Sequence, residues 1–135
     1  MQFIIILTKM IKGVNMLSLE EALVHFLLEI ANTDGEIDVK ELELIEEFAK
    51  KNIKDENFNF TKSAIDFFKK PLEERAMESL FTLSVIDQEF TKEQKIELLK
   101  LVNKIFKADK KYTDEEKKGL ALFAATLNID LKEVL

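Results

Sequence analysis

Four carboxylates and a glycine fall within eight residues at Asp34-Gly35-Glu36-Ile37-Asp38-Val39-Lys40-Glu41, and oxygen donors of this kind are what hard divalent cations bind. Counted against the twelve-residue helix–loop–helix calcium loop, Asp34 takes position 5, Gly35 position 6, Ile37 position 8, Asp38 position 9 and Glu41 position 12. Position 1, which supplies the anchoring carboxylate of such a loop, is Ile30. The rhythm recurs at Asp109-Lys110-Lys111-Tyr112-Thr113-Asp114-Glu115-Glu116, with Ile105 in the first place, and more faintly at Asp87-Gln88-Glu89-Phe90-Thr91, with Leu83 first and Gln94 last. The chain therefore repeats a helix–turn–helix element that carries part of a metal site's ligand set. Asp34, Glu36, Asp38 and Glu41 are the first candidate ligands for calcium, magnesium or zinc; Asp109, Asp114 and Glu116 are a second group.

The same residues also have ordinary structural duties. A helix commonly ends with a left-handed residue after its C-cap, and glycine adopts that conformation without the cost of about 1–2 kcal/mol that a Cβ brings. Asp38 is a natural N-cap, worth about 1 kcal/mol, and Glu41 three residues later completes a capping box. Only Asp34 and Glu36 lack such a duty. Lys110 stands in the second turn where the first has Gly35. Capping and cation binding both remain open at this point.

These turns must be positioned by helices. Ser18 with Glu21 forms an S-x-x-E box, and Leu19, Leu23, Phe26 and Ile30 follow at helical spacing, predicting a helix to about Thr33. Asp38 starts the next, with Leu42, Ile45, Phe48 and Ala49 as its apolar stripe to about Ile53. Thr61 caps a short helix that ends before Pro71. The segment from about Leu72 to Ile86 is apolar over a wide arc through Leu72, Ala76, Met77, Leu80, Phe81 and Leu83, which predicts a central helix. Thr91 with Gln94 and Thr113 with Glu116 cap two more, Asn128 suits a left-handed helix end, and Asp130 starts a last turn.

Composition agrees. The chain has 135 residues, 47% of them apolar, with three Gly, one Pro and no Cys. That suits an all-α, compact single-domain bundle of six to seven helices with two Asp-(Gly) helix–turn–helix elements. The absence of cysteine excludes disulfides, thiolate metal sites and cysteine nucleophiles, and fits a cytoplasmic protein. Residues 1–15, with Phe3-Ile4-Ile5-Ile6-Leu7, form an N-terminal apolar segment too short to span a bilayer; Phe3, Leu7, Met10 and Ile11 share a face where it is helical. Residues 16–135 form the helical domain.

Charge is unevenly placed. Residues 18–60 carry 12 acidic and 4 basic side chains, a net of −8, whereas residues 61–135 carry 14 of each. An acidic front half disfavours nucleic acid and anionic lipid, which need a cationic footprint. Lys100, Lys104, Lys107 and Lys111 recur at turn spacing as a basic stripe, so the surface is bipolar and suits a charged protein partner. His25, flanked by Glu21 and Glu29 one turn away on either side, reads as part of a charged surface cluster. No phosphate loop, nucleophilic triad or metal-hydrolase motif is present, and the expectation is a protein that is not an enzyme.

Ile30-Ala31-Asn32-Thr33-Asp34-Gly35-Glu36-Ile37-Asp38-Val39-Lys40-Glu41 resembles the Ala-x-x-Asp-Gly-x-Ile-x-x-x-Glu signature of the tellurite-resistance TerB-like domain. Phe106 to Glu116, followed by Leu122 to Ile129, resembles its second copy, and the likeness covers about residues 17–130. The resemblance implies an all-helical bundle, a place in tellurite and stress-response systems, divalent-metal handling at the inner face of the membrane, and a protein partner there. Asp34, Gly35 and Glu41 belong to the first signature, Asp109 and Glu116 to the second. The expected function is a non-enzymatic protein-interaction module; the alternative is weak divalent-cation binding at the Asp34–Glu41 turn.

Overall fold

The computed structural model describes residues 18–33, 35–108 and 111–135. The apolar segment 1–15, Asp34, Asp109 and Lys110 lie outside the described residues. Among the described residues six α-helices follow one another: α1 (Leu19–Ala31), α2 (Val39–Asn52), α3 (Phe60–Lys69), α4 (Leu72–Glu89), α5 (Lys92–Lys107) and α6 (Asp114–Thr126), then a 3₁₀ turn at Leu131–Glu133. No strand occurs among the described residues, so the expected all-α bundle is what forms.

The hub is α1. It packs against α2, α3, α4 and α5, and the ring of Phe26 meets Phe123 of α6 edge-on at 5.7 Å. Six consecutive residues, Leu23 to Leu28, are buried, so no side of this stretch is left for water. Val24, Leu27 and Leu28 are wholly enclosed, among Ile45, Phe67, Ile86, Leu99, Ile105 and Phe106. Each such aliphatic or aromatic side chain contributes roughly 1.5–3 kcal/mol on leaving water.

The sequence pattern places α4 at the centre; the structure does not. Leu72, Met77 and Leu80 are exposed, Leu80 by 69%, and α4 buries Thr82, Val85 and Ile86 instead. Apolar width tells how much of a helix could be covered, and α1 already takes the one position that four neighbours can surround. The start of α4 is fixed from one side: Pro71 holds Lys70 in an extended conformation (φ −71°, ψ 145°) that ends α3, Lys70 Nζ donates to Glu78 Oε1 at 2.7 Å, and the Arg75 guanidinium lies 5.4 Å from the Phe67 ring centroid.

Helix starts follow the side chains that can accept a main-chain N–H. Complete capping boxes form at Asp38/Glu41, Thr91/Gln94 and Thr113/Glu116. At Ser18 only half the box forms, with Ser18 Oγ accepting from the Glu21 N–H at 3.1 Å, because the Glu21 carboxylate turns to α3. The cap of α3 is Asn59, not Thr61: its Oδ1 accepts from the Lys62 N–H at 3.0 Å, and the earlier start draws Phe60 into the helix and against the core.

Gly35 has φ +88° and an added Cβ would meet nothing within 4 Å, whereas Gly119 lies inside α6 with equally open surroundings. Substitution by alanine should therefore act in opposite directions. In urea denaturation Gly35→Ala is expected to lower stability by about 1 kcal/mol through backbone strain alone. Gly119→Ala is expected to raise it by roughly 0.5–1 kcal/mol. Equal shifts of one sign would contradict the left-handed assignment at Gly35.

Candidate functional site

The α1–α2 junction is built by successive local bonds. Asn32 N–H reaches Leu28 O at 3.0 Å, Thr33 N–H reaches Ile30 O at 3.2 Å, and Gly35 N–H reaches Asn32 O at 2.9 Å. The left-handed Gly35 then reverses the chain. Asp38 Oδ1 accepts from the Lys40 N–H at 2.9 Å, and the Asp38 N–H donates to Glu41 Oε1 at 2.9 Å. Ile37, just before the cap, packs against the core beside Leu42, the positions of a hydrophobic staple.

The α5–α6 junction repeats this plan with different residues. Thr113 N–H donates to Glu116 Oε1 at 2.9 Å, and Glu116 N–H donates to Thr113 Oγ1 at 3.1 Å. Tyr112 occupies the place of Ile37. Its hydroxyl donates to Asn103 Oδ1 at 2.7 Å, and Lys117 Nζ stands 5.5 Å from its ring centroid. Burial, and then the neighbouring Glu116 carboxylate, raise the Tyr112 pKa. Phe90 precedes the Thr91 cap in the third copy, so the shared unit is an apolar residue, a cap, and a carboxylate or amide three residues on.

This accounts for four of the candidate metal-ligand positions. Asp38 and Glu41 bond each other's main chain across the first turn of α2, and Glu116 does the same for α6 with Thr113, while Asp114 is the first residue of α6. Glu41 and Glu116 are 1% and 3% exposed: the two acids are in the interior, each engaged with an N-cap N–H. Glu36 is exposed on the turn. Among the described residues no three His, Asp or Glu side chains gather in a way that could hold a metal ion. Asp34 and Asp109 lie outside them.

A second polar constellation escaped the sequence reading. His25 does not belong to a surface cluster; it is 4% exposed, between α1 and α3. Ser63 Oγ donates to Glu21 Oε2 at 2.7 Å, and His25 Nε2 lies 2.8 Å from Ser63 Oγ. Since the single hydroxyl proton goes to the carboxylate, the imidazole must be the donor to Ser63, which assigns the Nε2–H tautomer. Nδ1 is buried with no hydrogen-bond partner among the described residues. Glu29 turns away from His25 to Arg75, 3.8 Å distant. The signal available in the sequence was a lone His inside an apolar run and a Ser on the Phe60–Ala64–Phe67 face of α3.

Burial, first, and the Lys70 charge, second, lower the His25 pKa from 6.5 to about 4, against the opposing pull of Glu21, the Ser63 contact and Asp66. The unfolded chain therefore takes up a proton that the fold refuses, and stability falls as pH drops from 6.5 towards 4. Between pH 7 and pH 4.5 this group should remove roughly 2 kcal/mol, by linkage. His25→Gln keeps an N–H for Ser63 but cannot titrate. Urea titrations of both proteins across that range should show the natural chain losing about 2 kcal/mol more than the variant; parallel curves would mean that the imidazole is not held neutral.

The sequence model of the family described as "Tellurite resistance protein TerB" matches residues 20–134. No curated protein and no solved structure matches the chain significantly. The matched span takes in α1 to α6, the Gly35 reversal, and both junctions at which an apolar residue, a cap and a buried glutamate recur. The chain belongs to the tellurite-resistance TerB family.

Proposed function

We propose that this protein is a non-enzymatic interaction module of the cytoplasm, acting through a protein partner at the inner face of the membrane in a stress or envelope-related system. The observation that supports it most is the apolar surface of α3 and α4. Ile65 and Phe68 on one helix, and Leu72, Met77 and Leu80 on the next, are all exposed, Leu72 by 65%. Exposed apolar faces on adjacent elements are characteristic of partner-binding surfaces. A non-catalytic role is also favoured by the Glu21–Ser63–His25 chain, whose serine proton is committed to a carboxylate in the interior. Among the described residues no helix is long and apolar enough to cross a membrane.

A photo-crosslinking side chain at Leu80 in the native cell, compared with one at the exposed Glu43 of α2, tests this reading. A discrete partner is expected from position 80 and none from position 43; monomer alone from both would oppose it. With the cross-linker kept at position 80, Leu72→Glu and Met77→Glu should leave stability within about 0.5 kcal/mol, as surface changes do, while abolishing the cross-link.

The second reading is weak divalent-cation binding at the acidic turn. It rests on the four carboxylates Asp34, Glu36, Asp38 and Glu41 within eight residues of sequence, around the left-handed Gly35. Calcium, magnesium, manganese and zinc titrated to about millimolar, with the amides of residues 34–41 followed by NMR, provide the check. Saturable shifts lost in Asp34→Asn support the site; an unmoved spectrum rules it out.

A further inference from the structure

A groove of about 660 Å³ runs between the first turn of α1, the outer face of α2 and the start of α5. Its apolar lining includes Leu19, Leu23, Leu44, Phe48, Phe90 and Leu101. Most of them are only half-buried, Leu23 being enclosed, so the groove is an apolar surface open to water. Among the described residues its charged positions are Glu20, Glu47, Glu93 and Glu97 and the cation Lys51, with Asn52 and Gln94 between them. Lys51 lies 3.6 Å from Glu47, and the lining residues together carry a net negative charge. The occupant suited to such a groove is apolar on one face and basic on another.

This chain supplies one. Residues 1–17 contain no acid; they carry Lys9 and Lys12, and Phe3, Leu7, Met10 and Ile11 fall on one face at helical spacing. Their point of attachment is the groove itself, because Leu19 and Glu20 are lining residues. Ser18, the N-cap of α1, is extended (ψ 158°), so the chain leaves the axis of α1 there rather than continuing it. Gly13, the only glycine of the segment, follows Lys12 and suits a reversal. Five residues separate Lys12 from Ser18 and reach up to about 16 Å when extended; a helix over residues 2–12 would be about 16 Å long.

We propose that residues 1–17 seat in the α1–α2–α5 groove of their own chain, apolar face inward and Lys9 and Lys12 along its glutamates. Tethering makes the contact intramolecular, with an effective concentration in the millimolar range for a short link. Any other basic amphipathic helix must then compete with the chain's own segment. The groove is a different surface from the α3–α4 face, so this inference and the interaction reading stand or fall separately.

The chain has no cysteine, so a single spin label can be placed at Thr8→Cys in the full-length, isotope-labelled protein. The expected result is loss of the amide signals of Leu44, Phe48 and Leu101, with those of Ile65 and Leu80 retained. Reversing the charge of Glu93 and Glu97, both exposed, to lysine should restore the lost signals, and so should raised salt to a lesser degree. Three outcomes overturn the proposal. Broadening at Ile65 and Leu80 would place the segment on α3–α4. Broadening of the groove signals that persists when a spin-labelled, isotope-free chain is mixed with an unlabelled isotopic one would assign the groove to a second copy. Broadening nowhere would leave the groove to a separate partner.

Discussion

The burial of α1 is the constraint from which the rest of the structure follows. A helix enclosed at six successive positions has no solvent side, so four other helices must cover it, and each must be led into place by a short connection. The connections are short because the helix ends are sharp. Carboxylate, hydroxyl and amide side chains stop each helix at a set residue by accepting N–H groups that the helix cannot satisfy itself. Enclosure also governs the polar groups brought inward at the α1–α3 contact: Ser63 donates to Glu21, and the His25 imidazole is kept neutral because burial and the Lys70 charge outweigh the pull of Glu21, 4.0 Å away.

The twin junctions show how one arrangement can serve two demands. Glu41 and Glu116 are interior carboxylates whose engagement with the N-cap N–H sets where α2 and α6 begin. A side chain so placed meets a structural need whether or not an ion is ever present. This is why acidic residues at metal-loop spacing are weak evidence for metal when the spacing also matches a capping box, and why Asp34, which has no part in the box, is the informative position.

Much of this was legible in the sequence, for identifiable reasons. The boxes at Asp38/Glu41, Thr91/Gln94 and Thr113/Glu116, the left-handed Gly35 and the left-handed Asn128 (φ 57°) are local features, decided within four or five residues. What was not legible depends on long-range contacts. The choice of α1 over α4 as the hub turns on which neighbours arrive, since both helices are apolar over a broad arc. His25 looked solvated because Glu21 and Glu29 flank it, yet Ser63 and Arg75, distant in sequence, engage those two carboxylates, and α3 closes over the imidazole. At α3, Asn59 and Thr61 both carry capping side chains, and packing of Phe60 decides between them.

Native-state hydrogen exchange measures the central claim most directly, because it ranks helices by the free energy needed to open them. The amides of Val24 to Leu28 should be the slowest in the protein and exchange only through global unfolding, while those of the first half of α4, exposed at Leu72, Ala76, Met77 and Leu80, should open at lower free energy. Protection in α4 exceeding that of α1 would contradict the account, since the hub would then be the helix that the sequence pattern alone suggests.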